Sequence, residues 1–262
     1  MTAVALHHLR RLTRPVAGAG PLARAIAVYS EPIDADGDLP PEPRSARETG
    51  FEGVACVDDA ARAIVLYSGL WRRHRLPSAR MAVSSLLQFL AYMQDEDGRF
   101  GNFIVEWTGR RNRGGSTSHA GGPAWQARAL HALACGVGVA GGEEWDERFA
   151  RAMPWVDEAI PYMDVRAVCV LAMLEHWRAT GATDSGDRAL AWSRVIAGHA
   201  SGSGLLNAAG VKPIHLWGHL QEAALAETGR VLGQPELVEC ARASAEALLV
   251  PAVDSGFDFE RV

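Results

Sequence analysis

Stretches that are apolar on nearly every side alternate with stretches that are apolar on one side only, and this alternation restricts the chain to few architectures. Residues 58–71, 123–135, 164–179 and 215–230 are apolar almost all round. Each is followed by a segment with a single apolar stripe at helical spacing: 77–94, 145–153, 187–199 and 235–250. In 77–94, for example, Met81, Val83, Leu86, Leu87, Leu90 and Met93 share a face, while Arg80, Ser84, Ser85 and Gln88 lie elsewhere. A helix without a polar face must be covered on all sides, and one with a single stripe covers it from outside. Two layers of helical hairpins satisfy both demands. Strand–helix alternation, the signature of a parallel sheet, is not seen. A linear solenoid would repeat a signature at a fixed period, and none is found. The expected fold is therefore all-α: an α/α toroid, a ring built of about four to five helical hairpins. Residues 1–22 are expected to be a flexible N-terminal segment, with Arg10, Arg11 and Arg14 but no apolar core after them. Residues 23–262 are expected to form one domain.

The connections are unequal. Links leaving the all-round apolar helices are mostly short (72–77, 181–186, 231–234), and links returning to them are mostly longer (31–57, 95–122, 200–213). Long connections in compact proteins carry function more often than short ones. Residues 100–107 have strand-like character and suit a small hairpin. The long links lead to the N-terminal ends of the inner helices, where ionisable groups collect: Asp58, Asp59, His119, Asp164, His215 and His219, with Glu52, Asn102 and Glu106 on the links. Aspartates suit a helix start, and Arg62 shares their helix face. Trp107, Trp125 and Trp217 belong to the same end, where an aromatic face can pack on a sugar ring. Arg110, Arg111 and Arg113 read as a solvated loop tip.

Composition narrows the partners. A net charge of -5 gives no reason to expect nucleic acid or a membrane. Cys56, Cys135, Cys169 and Cys240 are widely spaced and read as free thiols, which fits a cytoplasmic protein. His215 and His219 lie four apart on a helix, but neither an HExxH pattern nor a neighbouring cysteine accompanies them. Asp58-Asp59 lacks the further carboxylate that a magnesium-binding motif needs. The expectation is no metal and no cofactor. A carbohydrate is the expected ligand, and the composition allows a homo-oligomer.

The segments GFEGVACVDDAARA, FLAYMQDEDGRFGNF, WQARALHAL, MDVRAVCVLAML and IHLWGHLQEAALAETGRVLGQPELVECA follow one another in that order. Together they resemble the α/α-toroid proteins of the six-hairpin glycosidase-like superfamily, in particular a branch with a VDD-x-AR motif followed by a dGrF-x-NF loop. Two positions depart from that branch. Ala60 stands where asparagine follows the paired aspartates, and His119-Ala-Gly-Gly stands where an acidic residue precedes the third motif. The resemblance implies carbohydrate metabolism and an inverting glycoside hydrolase or related sugar-processing enzyme. Inversion uses two separated carboxyl groups, one as acid and one as base. Asp59 and Glu106, which come from different elements, are the candidate pair. Asp58, Arg62, Asn102, Trp107, His119, Trp125, His215, Trp217 and His219 are the candidate substrate-binding residues. The alternative is a non-catalytic toroid that binds a glycan or a partner protein.

Overall fold

The computed structural model describes residues 6–31, 42–43, 52–157, 161–202, 204–208 and 219–256. The fold is all-α, with strands of only two or three residues. The chain divides into two compact units, Met1–Trp155 and Val156–Val262. Among the described residues, each holds two hairpins in which one helix is answered by a second after a short turn.

In the first unit, α1 (His7–Leu12) leads into β1 (Thr13–Pro15), which pairs antiparallel with β2 (Arg24–Ile26). β3 (Ser30–Glu31) and β4 (Glu42–Pro43) form a second short pair. β5 (Ala55–Cys56) runs directly into α2 (Val57–His74), and α3 (Pro77–Met93) returns. β6 (Phe103–Ile104) pairs with β5, and the second hairpin is α4 (Pro123–Val139) with α5 (Glu143–Ala152). α2 packs against both α3 and α4, and α4 packs against α5. A one-turn helix, α6 (Pro154–Asp157), lies at the unit boundary. In the second unit, α7 (Met163–Thr180) pairs with α8 (Thr183–Ala197). The strands β7 (Ala200–Ser201) and β8 (Gly204–Leu205) follow, and α9 (Gln221–Leu232) pairs with α10 (Pro235–Asp254). α9 lies against α7, α8 and α10.

The alternation read from the sequence maps onto burial. On α4, Trp125, Gln126, Ala127, Ala129, Leu130, Ala132, Leu133, Ala134 and Cys135 are all buried. On α3 the expected stripe of Val83, Leu86, Leu87, Leu90 and Met93 is buried while Met81 is exposed. α2 departs from the expectation of burial on most sides. Its buried residues lie toward α3 and α4, and Leu66 on the remaining side is 41% exposed. The segment expected to be loose at the N-terminus carries ordered structure from residue 6. Val16 is fully buried, and the Ala17 and Gly18 amides donate to the Trp107 and Thr108 carbonyls at 3.0 and 2.8 Å. All four cysteines are free thiols.

One capping device occurs in both units. The Asn102 carbonyl accepts from the Val57 amide at 2.8 Å, and its side-chain oxygen accepts from the Asp58 amide at 3.3 Å. The Asn207 carbonyl accepts from the Met163 amide and its side-chain oxygen from the Asp164 amide, both at 2.8 Å. In each case an asparagine on the segment leaving the outer helix satisfies the first two orphan N–H groups of that hairpin's own inner helix. Asp164, read from sequence as the cap, is instead the second residue of α7, and its carboxylate accepts from the next amide at 2.7 Å.

The approach of β5 to β6 demands a glycine at position 53. A Cβ there would lie 2.2 Å from the Ile104 carbonyl oxygen, whereas a Cβ on exposed Gly69 of α2 meets nothing within 4 Å. Gly53→Ala is expected to destabilise by more than about 2 kcal/mol through forced backbone displacement. Gly69→Ala is expected to stabilise by about 0.5–1 kcal/mol through helix propensity. Urea melts of the two single variants beside the parent protein check both signs.

Candidate functional site

β5 aims the first turn of α2 at the segment between α3 and α4, and that juncture gathers much of the polar chemistry foreseen for the first unit. Cys56 is the N-cap of α2. Its sulfur accepts from the Asp59 amide at 3.4 Å, and its thiol donates to the Asp59 carboxylate at 3.2 Å. Burial, and then the charge of Asp59, push the thiol well above its ordinary pKa, so it remains an S–H donor. Asp58 is held from two sides. Arg62, one turn on, pairs with one carboxylate oxygen at 2.7 Å, and Arg128 of α4 pairs with the other. Asp59 pairs with Arg62 at 3.3 Å. The side chains of Asp58 and Arg128 are 19% and 18% exposed, against 31% for Asp59 and 48% for Arg62. Asp58 is therefore a structural counter-ion between helices, and Asp59 and Arg62 are the members that meet solvent.

Those two side chains line a groove of about 350 Å³ whose other walls are Leu9, Leu12, Ile26, Ala27, Val28, Ala63 and Leu66. A carboxylate and a guanidinium at one edge of an apolar trough offer acceptor and donor groups beside a surface for C–H faces.

Asn102 is buried at 5% exposure and contributes its cap; its side-chain N–H donates to the Thr117 carbonyl at 2.9 Å. Both polar atoms of its side chain are engaged, which ties the helix start to the 116–118 loop. A hairpin is present, over residues 103–112 rather than the expected 100–107. The Val105 amide donates to the Arg110 carbonyl, the Asn112 amide to the Phe103 carbonyl, and Gly109 with φ +98° closes the turn. Glu106 stands at the tip of this hairpin, half exposed, and ion-pairs with Arg110 at 2.7 Å, which holds its carboxyl below the usual range. In the antiparallel register Cys56 opposes Phe103 and Ala55 opposes Ile104. Going from Phe103 to Glu106 thus leads away from the start of α2, and the structure does not bring Glu106 together with Asp59. Trp107 is half-buried on the same turn, with its carbonyl engaged by Ala17.

The arginines expected to be a solvated tip do more than that. Arg111 pairs with Asp95 at 2.8 Å and lies 4.6 Å over the Tyr92 ring, and Arg113 pairs with Asp95 at 3.1 Å. Trp125 is buried at 8%, donates its indole N–H to the Phe100 carbonyl at 2.9 Å, and meets the exposed His119 ring edge-on at 4.8 Å. The indole packs the core beneath the loop, and His119 covers it.

His219 belongs to the second unit. Its Nε2 lies 2.8 Å from Glu222, which also accepts from Ser244. Burial raises the Glu222 carboxyl, but these two hydrogen bonds outweigh it and hold the group below the usual range. His215 and Trp217 lie outside the described residues.

Two participants were missed in the sequence: Arg128 and the 116–118 loop gripped by Glu52. Arg128 was discoverable as a lone charge on a helix with no polar face, which requires a partner. Glu52 accepts from the Ser116 hydroxyl at 2.9 Å, the Thr117 amide at 3.0 Å and the Ser118 hydroxyl at 2.5 Å. Partial desolvation pushes its carboxyl up, but these bonds win and hold it at about 2.

No family profile matches the sequence, and no curated protein sequence matches it. Among solved structures, the chain is similar to the crystal structure of a sugar epimerase from a ruminal bacterium, with a TM-score of 0.61 and 15% sequence identity. The match covers 74% of this chain and 60% of that one. The likeness is one of fold, and this chain spans about 60% of that structure's length.

Removing Asp58 leaves Arg128 partly buried without its counter-ion. Asp58→Ala is expected to cost about 2 kcal/mol, discounted from a fully buried pair because both groups retain some solvent. Asp59→Asn is expected to stay within about 0.5 kcal/mol, since asparagine keeps the helix-start geometry and the lost ion pair is exposed. Thermal or urea melts separate the two.

Glu52 supplies a pH dependence. Its folded-state pKa of about 2 lies below the ordinary 4.5, so its contribution is complete above 4.5 and is lost as pH falls toward 2. The stability gap between the parent protein and Glu52→Gln is expected to be full at neutral pH and to close across that acidic window, as read by melts over a pH series.

Proposed function

We propose that the protein binds a carbohydrate in the groove at the start of α2, with Asp59 accepting from sugar hydroxyls, Arg62 donating to them, and Leu9, Leu12 and Ile26 covering the apolar face of the ring. The observation that carries this reading is the division of labour between the paired aspartates. Asp58 is clamped between two arginines away from the groove, whereas Asp59, bonded to Cys56 and Arg62, is the more exposed and lines a groove that joins charge to apolar surface. Asn102 and Arg128 position this pair, and Trp125 and His119 shape the loop behind it.

Within this reading the chain is a hairpin protein of the α/α-toroid kind, and binding without turnover is the activity best supported. The inverting-hydrolase reading relied on Asp59 and Glu106 as acid and base, and the hairpin register separates them while Arg110 occupies Glu106. A sugar-processing enzyme is the second reading, favoured by the fold likeness to a sugar epimerase; Asp59 would there take or give the proton.

A panel of mono- and oligosaccharides, scored in parallel for binding by calorimetry, for released reducing ends and for epimer interconversion by NMR, tests these readings. The expected outcome is saturable binding weakened at least about tenfold by Arg62→Leu or Asp59→Ala, without released reducing ends. Interconversion abolished by Asp59→Asn would establish the second reading. Absence of binding across the panel, or binding indifferent to both variants, would refute the site.

A further inference from the structure

The protein's charge is strongly segregated. The net charge is -5, yet no aspartate or glutamate occurs between residues 6 and 30 or between 60 and 94. These segments supply α1, β1, β2, most of α2 and all of α3. Arg72, Arg73 and Arg75 crowd the C-terminal end of α2, and Arg80 lies just across the turn. The helix dipole accounts for arginines at the end of α2. It disfavours Arg80, which sits in the first turn of α3, where no acidic residue accompanies it.

Arg75 and Arg80 lie 5.4 and 5.6 Å over the Trp71 ring, so the indole is already in use as a cation platform. Beside it runs a groove of about 630 Å³, lined by Leu22, Trp71, Pro77, Met81, Ser84 and Gln88 among others. Leu22 and Met81 are 69% and 70% exposed, unusual for large apolar side chains. Met81, Ser84, Ser85 and Gln88 form one row along α3. The Ser84 and Ser85 hydroxyls donate back to the Arg80 and Met81 carbonyls at 3.2 and 2.9 Å, which makes the row a low floor with its polar atoms satisfied.

We propose that this groove docks an acidic amphipathic helix of a partner protein, its apolar side on Leu22, Trp71 and Met81 and its carboxylates on Arg75 and Arg80. A groove walled by apolar side chains and rimmed by cations complements such a segment in shape and charge. Because guanidinium groups occupy the Trp71 ring, it is a poor stacking surface for a base or sugar, and a concave floor suits a helix better than a flat bilayer.

Full-length protein is titrated into a fluorescein-labelled synthetic helix carrying glutamates on one face and leucines on the other, and anisotropy is read. The proposal expects saturable binding that weakens as salt is raised, and no binding of the same helix with lysine in place of glutamate. Arg80→Glu and Met81→Glu should each weaken it at least about tenfold, with unchanged circular dichroism and melting showing that both variants fold. Failure of the glutamate helix to bind overturns the proposal, as does binding that ignores both variants. Equal binding of the lysine helix overturns it too. So does capture of phosphatidylserine vesicles or single-stranded DNA by protein that leaves the glutamate helix free.

Discussion

The hydrogen bonds that Asn102 accepts from the first two amides of α2 are the constraint on which the candidate site depends. A helix start buried against another segment must place its orphan N–H groups somewhere. Asn102 takes two of them, and Cys56 takes the next through sulfur. Because Asn102 also donates to Thr117, the same side chain fixes the loop that Glu52 grips from the other side. The direction of α2, the path of the hairpin at 103–112 and the exposure of Asp59 are thereby set together. An alteration at Asn102 would disturb all three, even though the side chain touches no ligand in the proposed site.

The electrostatics follow from that frame. With α2 fixed, Asp58 faces α4 and becomes the counter-ion of Arg128, while Asp59, one residue on, turns about 100° further round the helix toward the groove. Adjacent identical residues thus acquire different chemistry from helical geometry alone. Arg62 lies one turn beyond both and bridges them, which keeps negative charge from accumulating where the two carboxylates are closest.

The helical hairpins were legible in the sequence because a 3.6-residue stripe around Leu86–Met93 marks a half-covered helix and the unbroken apolar run at Ala127–Cys135 marks a fully covered one. The hairpin was legible from the strand-like residues at 100–107, but its return arm through residue 112 was not. What escaped was long-range. Asn102, read as a sugar contact, and Asn207, not singled out, show their capping role only once the path of the chain sets each against a helix start, 44 and 43 residues away from the amide that its side chain receives. Glu106 looked like a partner for Asp59 because sequence order gives elements but not register, and the ladder between β5 and β6 fixes which way residue 106 travels. The N-terminal strand β1 was missed because three residues carry no periodicity; only its pairing with β2 makes it a strand.

The repeated asparagine caps bear on how such a chain can change length. Each cap comes from the segment that follows the hairpin's own outer helix, so the first hairpin of each unit carries the means to finish its own inner helix. Excising or duplicating a hairpin together with its trailing segment leaves no orphan amide behind and borrows none from a neighbour. Among the described residues, the inner helices of the second hairpins, α4 and α9, carry no such side-chain cap, so the first hairpins are the pieces that could be moved already finished.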